Sequence, residues 1–475
     1  MSSEQPSLDT ILQINFIPMK TALLNEHETS FYVLAEFVTG SKPDDYTIEQ
    51  RPPMVLSLVL DRSGSMNGRP LEEAIKCAKY IIENLQSTDF ISIVSYDSSA
   101  KIESPILLCN DENKKKLIEI VSQIKSGGST NLEEGWRFGM NTIEDAINRS
   151  LVPSNSLKRI FLLSDGQLNC GITDPKRINQ KCSTYAAMGI TTSTYGLGYH
   201  FNEQIMVEMS QSGEGNSYYG ETVDDLMEPF IDELSLLQQL AVRRPKFSIS
   251  SAGHKAITDI TVLNDLKYVN DYNQEIDIRT WKTSGKSISE VWCRLQNIPF
   301  DAKRSALLKI SVNLSPSHCT EKNGTRIPIL SIRAKYEDVY GHERDIQSNP
   351  FLLPVMNADV YADLQKNKTV EEKRQELLST ALQKEINVHL RNGDEASARR
   401  VIEELKVLAQ NNEHLKAVVA ELQQLLEMRN YEILHKEIAF NQKYYSHSLE
   451  STMPRIDERM FMQKKIRKGS RRRDS

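Results

Sequence analysis

An apolar run, Pro53-Met-Val-Leu-Ser-Leu-Val-Leu60, leads straight into Asp61-Arg-Ser63-Gly-Ser65. One carboxylate and two hydroxyls therefore fall on a tight turn at the carboxyl end of a buried strand. Hard oxygen donors of this kind suit Mg²⁺, which takes near-octahedral oxygen coordination at roughly 2.0–2.1 Å. In open α/β sheets this edge is also where ligands bind. One loop cannot complete such a shell, and the chain offers more oxygens. Gly127-Gly-Ser-Thr130-Asn-Leu132 is a small loop leading into a helix, and its glycines let the backbone approach a neighbouring loop closely. A second apolar run, Ile160-Phe-Leu-Leu-Ser164, ends at Asp165-Gly166 and puts another carboxylate at the same edge.

Alternating strands and helices must position these loops. Strands are predicted at 53–60, 90–96, 158–164 and 190–197, and their continuous apolar character suits parallel strands covered on both faces. Between them, apolar positions 71, 74, 75, 78, 81, 82 and 85 follow the helical period, with Pro70 where a first turn tolerates it. Further helices are predicted at 111–125, 132–148, 174–188, 202–211 and 223–240. This order predicts an α/β domain over 53–240 with a doubly wound, mostly parallel sheet.

The rest of the chain reads differently. Alternating runs separated by Gly, Pro, Asn and Asp predict an antiparallel β-sandwich over 245–353. The short β-like runs within 1–50 lack partners of their own and are assigned to that sandwich, so the α/β domain is inserted in it or stands next to it. Residues 357–450, almost free of Gly and Pro, predict a helical hairpin with breaks near Arg391-Asn-Gly-Asp394 and Asn411-Asn412. The tail, 451–475, is read as disordered and basic, with seven Lys or Arg between Lys464 and Arg473.

A length of 475 residues suits about three domains. At 39% hydrophobic and 26% charged residues the composition is globular, and a net charge of −6 suggests no bulk affinity for nucleic acid. The first residues lack the basic and apolar regions of a secretion signal, and no apolar run reaches the roughly 18 residues a membrane span needs. The six cysteines form no CxxC pair, which argues against zinc and for free thiols in a reducing compartment. The expectation is a cytoplasmic protein, with nuclear import or contact with an anionic surface as readings of the basic tail. The sequence does not determine the oligomeric state.

Asp61-Arg-Ser63-Gly-Ser65, Thr130 after a Gly-Gly-Ser turn, and Asp165-Gly166, each at a strand end, together resemble a von Willebrand factor A domain with a complete metal-ion-dependent adhesion site. The resemblance covers about 53–240, and the stretches 195–203 and 213–219 are similar to the family's usual ending. It implies a Rossmann-like sheet and a bound Mg²⁺ or Mn²⁺. Ser63, Ser65 and Thr130 would contact the ion, while Asp61 and Asp165 would mostly hold its waters. The open position would take an Asp or Glu carboxylate from a partner protein. The implied role is a non-enzymatic interaction module, a scaffold or adaptor. Arg62 stands at a position that varies in the family and could bias which acidic partner fits. The chain also resembles the A-domain part of inter-alpha-trypsin-inhibitor heavy chains and of some plant ubiquitin-ligase scaffolds, without their secretion signal or RING.

Other readings compete. Asp61 and Ser63 could serve only to cap the following helix. A hydrolase using metal-bound water would need a base, for which His200 and Glu203 are the candidates. An aspartyl-phosphate chemistry at Asp61 would want a second Asp where Ser63 stands. No GxxxxGK[ST] phosphate loop is present, and Gly196-Leu-Gly198 lacks the third glycine of a dinucleotide fingerprint. Finally, the sandwich and helices could do all the binding, with the α/β domain as a spacer.

Overall fold

The computed structural model describes residues 11–25, 29–43, 51–197, 203–220, 223–252, 254–264, 266–271, 275–278, 291–314 and 324–429, with a few single positions up to 441. His200 and the basic tail lie outside the described residues, as does the side chain of Glu203. The chain opens with β1 (Leu12–Pro18), β2 (Leu23–Leu24) and β3 (Thr29–Thr39). It then forms two compact units: one spans 43–240 with 339–341, and the other combines 1–42, 241–338 and 342–475.

In the 43–240 unit the sheet strands are β4 (Met54–Asp61), β5 (Phe90–Tyr96), β6 (Ala100–Leu108), β7 (Leu157–Ser164), β8 (Ile190–Leu197) and β9 (Glu214–Gly220). Their order is β6-β5-β4-β7-β8-β9, and only the β5–β6 pair is antiparallel. The helices are α1 (Arg69–Asn84), α2 (Asp111–Ser122), α3 (Leu132–Asn148), α4 (Pro175–Ala187), α5 (Glu203–Ser212) and α6 (Val223–Gln238). Successive residues of β4 feed opposite cores. Leu56, Leu58 and Leu60 pack with α1, α2 and α6, whereas Val55 and Val59 pack with α3, α4 and α5. This is why β4 reads as an unbroken apolar run. The periodic face of α1 is buried, including Leu71, Ala74, Ala78, Ile81 and Ile82.

Two edge strands were not foreseen. In β6 the alternation is broken by Pro105, which an edge strand tolerates because one side of its backbone needs no partner. In β9 the run Glu-Gly-Asn-Ser-Tyr-Tyr-Gly has little apolar content outside its two tyrosines.

In the other unit β10 (Leu240–Ser250), β11 (Ile257–Val262), β12 (Tyr268–Val269), β13 (Trp292–Arg294), β14 (Ile298–Pro299), β15 (Lys303–Val312), β16 (Arg326–Glu337), β17 (Glu343–Gln347) and β18 (Phe351–Met356) form two sheets with the opening strands. A four-stranded sheet runs β1-β3-β15-β11, so the first strands pair with a strand that lies beyond the α/β segment in sequence. An eight-stranded sheet runs β12-β13-β10-β16-β18-β2, with β14 on β10 and β17 on β16. Along the path from β12 to β18, and at β16–β17, the pairs are antiparallel, whereas β18–β2 is parallel. Phe37 of one sheet meets Phe247 of the other at 4.9 Å between ring centroids, which marks the layer between them. The chain continues with α7 (Ala358–Asp363), α8 (Lys368–Arg391), α9 (Glu395–Leu408) and α10 (Glu413–Glu427). The turn at Asn392–Asp394 makes the hairpin of α8 and α9. A third helix, α10, extends it and shares its core through Leu415, Val419 and Leu422.

Candidate functional site

Strand pairing assembles the site before any side chain acts. The register sets Asp61 of β4 beside Tyr96 of β5, and Leu60 beside Leu163 of β7, so that Ser164 comes level with Asp61. Tyr96, Asp61 and Ser164 thus form one row across the carboxyl ends of three parallel strands. Ser164 donates its Oγ hydrogen to Asp61 Oδ2 at 2.6 Å. The Tyr96 hydroxyl lies 3.0 Å from the same oxygen and 2.9 Å from Ser164 Oγ. Asp61 Oδ1 accepts from the Ser63 amide at 2.9 Å, which bends the chain into the turn. The Asp61 carboxyl is fully buried, and this burial pushes its pKa up to about 6 against the opposing hydrogen bonds from Ser164 and Ser63.

The next residues curl into one 3₁₀ turn, Gly64–Met66, which brings Ser63 Oγ and Ser65 Oγ to 3.2 Å. Neither Asp61 nor Ser63 caps α1. That helix has Gly68 at its N-cap, makes no side-chain cap bond and carries a proline in its first turn. The capping explanation for these residues therefore fails.

Backbone bonds lace the second loop to the first, and the third to the second. Gly64 N donates to Gly128 O, and Gly127 N to Arg62 O, each at 2.7 Å. The side chains that follow β5 leave no room for larger residues at either glycine: a Cβ on Gly128 would come 2.6 Å from Ser98 Oγ, and one on Gly127 would collide with the Asp97 carboxylate. Thr130 is 1% exposed, and its carbonyl accepts from the amides of Asn169 and Cys170 in the loop after β7. Asn169 Nδ2 also reaches Thr130 Oγ1 at 3.5 Å. Asp165, itself buried, accepts from Gln167 N at 3.1 Å and acts electrostatically on Asp61. Asp61, Ser63, Ser65, Thr130 and Asp165 therefore lie on three interlinked loops at one sheet edge. Arg62 turns aside and pairs with Asp97 at 2.9 Å.

Sequence reasoning missed Tyr96, Ser164, Asp97 and Asn169. Tyr96 and Ser164 are the last residues of apolar strands, and that position was the available signal. Tyr96 also ties the site to α3, because a Cβ on Gly135 would overlap its ring. Gly135→Ala is expected to cost about 1–3 kcal/mol through this overpacking, read as a lower urea midpoint.

The three loops gather where the order of a doubly wound sheet reverses, the edge at which open α/β sheets generally bind ligands. Residues 56–232 match the model of the von Willebrand factor type A domain, and this part of the chain is such a domain. An uncharacterized protein from Synechocystis, sll0103, is 26% identical over 322 residues, covering 66% of this chain and 69% of that one. Human inter-alpha-trypsin inhibitor heavy chain H3 is 25% identical over 207 residues, 42% of this chain but 23% of its own length. Among solved structures, a von Willebrand factor type A protein from Catenulispora acidiphila matches with TM-score 0.60 at 15% identity, covering 88% of this chain and 91% of that one. The ArnB paralog VWA2 from Sulfolobus acidocaldarius matches with TM-score 0.52 at 14% identity, covering 93% and 98%. These likenesses show the fold. No helix among the described residues is long and apolar enough to cross a membrane.

Proposed function

We propose that this chain is a protein-interaction module whose A domain takes an acidic side chain of a partner through a divalent cation, Mg²⁺ or Mn²⁺. The observation that carries the reading is the convergence of five oxygen-bearing side chains on three loops bound to one another through their backbones. The donor set fits such an ion. Ser63 and Ser65 present adjacent hydroxyls, Thr130 presents a third, and Asp61 and Asp165 supply buried carboxylates. Among the described residues no group of three or more His, Cys, Asp and Glu could hold a metal, so hydroxyls must take part in any site. Ser63, Ser65 and Thr130 would hold the ion, with Asp61 and Asp165 behind them. The cation would supply a positive, oxygen-seeking anchor for a carboxylate.

The chain's own residues do the positioning. Ser164, Tyr96 and the Ser63 amide fix Asp61 in one orientation, and the lacing between loops holds the hydroxyls in place. None of these partners is a base at neutral pH, which supports binding rather than turnover. The reading places the module in a reducing compartment, the cytoplasm or the nucleus.

The test measures the metal directly. Titration with Mn²⁺, followed by calorimetry and by paramagnetic resonance of the free ion, is expected to show one site. Asp61→Ala and the double variant Ser63→Ala/Ser65→Ala are each expected to weaken it at least tenfold. Partner capture in Mg²⁺, compared with chelator, should fall in parallel. Wild-type affinity in either variant, or capture indifferent to chelator, would refute the reading.

A further inference from the structure

The loop that carries Thr130 has no regular structure of its own. Between α2 and α3, residues 125–131 form neither helix nor strand, and their polar groups are met from outside. Gly127 N donates to Arg62 O at 2.7 Å, and Asn131 N to Asp97 O at 2.7 Å. Gly128 N donates to Asp97 Oδ2 at 3.3 Å, and Ser129 N to Ser98 Oγ at 2.9 Å. Ser126 Oγ donates to Asn67 Oδ1 at 2.9 Å, and the Lys125 carbonyl accepts from Arg62 Nη1 at 3.3 Å. All of these partners lie on two turns, the one that follows β4 and the one that follows β5.

Asp97 brackets the loop. Its carboxylate holds Gly128 and its carbonyl holds Asn131, so Ser129 and Thr130 are fixed from both sides. Asp97 is itself pinned: Oδ1 accepts from Ser99 N at 3.1 Å, and Oδ2 pairs with Arg62 Nη2 at 2.9 Å. The two side chains are sheltered, at 12% and 25% exposure. A carboxylate so placed needs a counter-charge to stay there. Arg62 supplies it from the turn that carries Ser63 and Ser65. The register that sets Asp61 beside Tyr96 brings the residues after them together as well. One ion pair therefore joins the turn bearing two hydroxyls to the loop bearing the third.

We propose that Arg62 and Asp97 are positioning residues for the cation site: the pair sets Thr130 against Ser63 and Ser65 before an ion arrives. This inference rests on the reading of those hydroxyls as cation ligands. Neither residue touches the ion. Mg²⁺ demands near-ideal octahedral geometry, so a misplaced hydroxyl is a lost ligand. The arrangement also fixes a sign. A guanidinium on the residue next to Ser63 repels a divalent cation, so by charge alone its removal would tighten binding. By positioning, its removal weakens binding.

The experiment uses the full chain and two readouts. The first needs no ion: hydrogen exchange in chelator, read by mass spectrometry on peptides covering 125–131, with β4 and β5 as internal reference. Arg62→Gln should exchange several-fold faster in 125–131 and at the wild-type rate in β4 and β5. Arg62→Lys keeps the charge beside Asp97 and should stay near wild type. The second readout is Mn²⁺ affinity by paramagnetic resonance of the free ion. Arg62→Gln should weaken it about tenfold, the lower end of what outer partners of metal ligands contribute, and Arg62→Lys should restore most of it. Ser98→Ala, which frees the Ser129 amide without changing charge, should weaken it too. Equal or tighter Mn²⁺ binding in Arg62→Gln would overturn the proposal. So would unchanged exchange in 125–131, or protection lost equally from β4 and β5. Mn²⁺ binding in the wild type with no loss in Arg62→Gln removes this proposal alone, whereas no binding in the wild type removes the cation reading with it.

Discussion

Replacing Asp89 by Ala is expected to remove about 3–5 kcal/mol from the stability of the A domain, the range seen when one partner of a buried ion pair is deleted. Asp89 lies in the turn between α1 and β5, and its side chain is fully buried. Arg51, on the segment leading into β4, grips it with two bonds, Nη1 to Oδ1 at 2.8 Å and Nη2 to Oδ2 at 2.7 Å. The same carboxylate accepts from the amides of Met54 at 2.9 Å and Gln86 at 2.8 Å. One side chain thus fixes the start of the central strand, the end of α1 and the approach to β5. Without it, a guanidinium whose Nε already has no hydrogen-bond partner is left buried and uncompensated. Such a loss is a large share of the roughly 5–15 kcal/mol that holds a domain together. Urea unfolding and hydrogen exchange at the β4 and β5 amides are the measurements. The double variant Arg51→Met/Asp89→Ala should recover part of the loss, because the stranded cation is gone. A cost below about 1 kcal/mol for Asp89→Ala would show that the pair is not what pins these elements.

How legible was all this in the sequence? The alternation of the α/β domain was plain because parallel strands covered on both faces must be apolar throughout, and helices such as α1 must be apolar on one side. The residues proposed to hold a cation were legible because Asp61, Ser63 and Ser65 fall on a single turn, and a single turn is a local pattern. Tyr96 and Ser164 were not, because they meet Asp61 only through the register of β4 with β5 and β7. A Tyr or Ser ending an apolar strand has many other uses. The pair of Arg62 and Asp97 was hidden for the same reason. The two residues are far apart in sequence and become neighbours only once β4 and β5 pair. Short-range periodicity reports which face is buried; it carries no information on which strands sit side by side.

Asp89 and Glu233 mark the same boundary, and Glu233 gives the second large effect. Within α6 it looks like one more acidic residue beside Asp232 on a helix rich in leucine. It faces the sheet instead, is fully buried, and accepts from Ser193 Oγ at 2.6 Å and from the Tyr195 hydroxyl at 3.1 Å. Arg159 of β7 stands 3.4 Å away, with its Nε and Nη1 buried and unbonded. Burial and the carboxylate together raise the Tyr195 pKa well above its ordinary value, so the phenol stays a donor at any pH the protein meets. Around this polar knot Phe230 stacks on Tyr195 at 4.1 Å between centroids, and Leu226 and Leu234 complete the apolar contact. Glu233→Ala would leave Arg159 buried without its counter-charge and free two hydroxyl donors in a dry interior. The expected cost is about 3–5 kcal/mol, concentrated in the docking of α6 on β7 and β8. Glu233→Gln keeps an acceptor for Ser193 and should fall between the two. The discriminating measurement is hydrogen exchange along α6. If the ion pair and its hydroxyls hold the helix down, α6 amides lose protection more than those of α3 on the opposite face. Equal loss on both faces would mean that Glu233 contributes only to global stability, and that Phe230 and its leucines alone seat the helix.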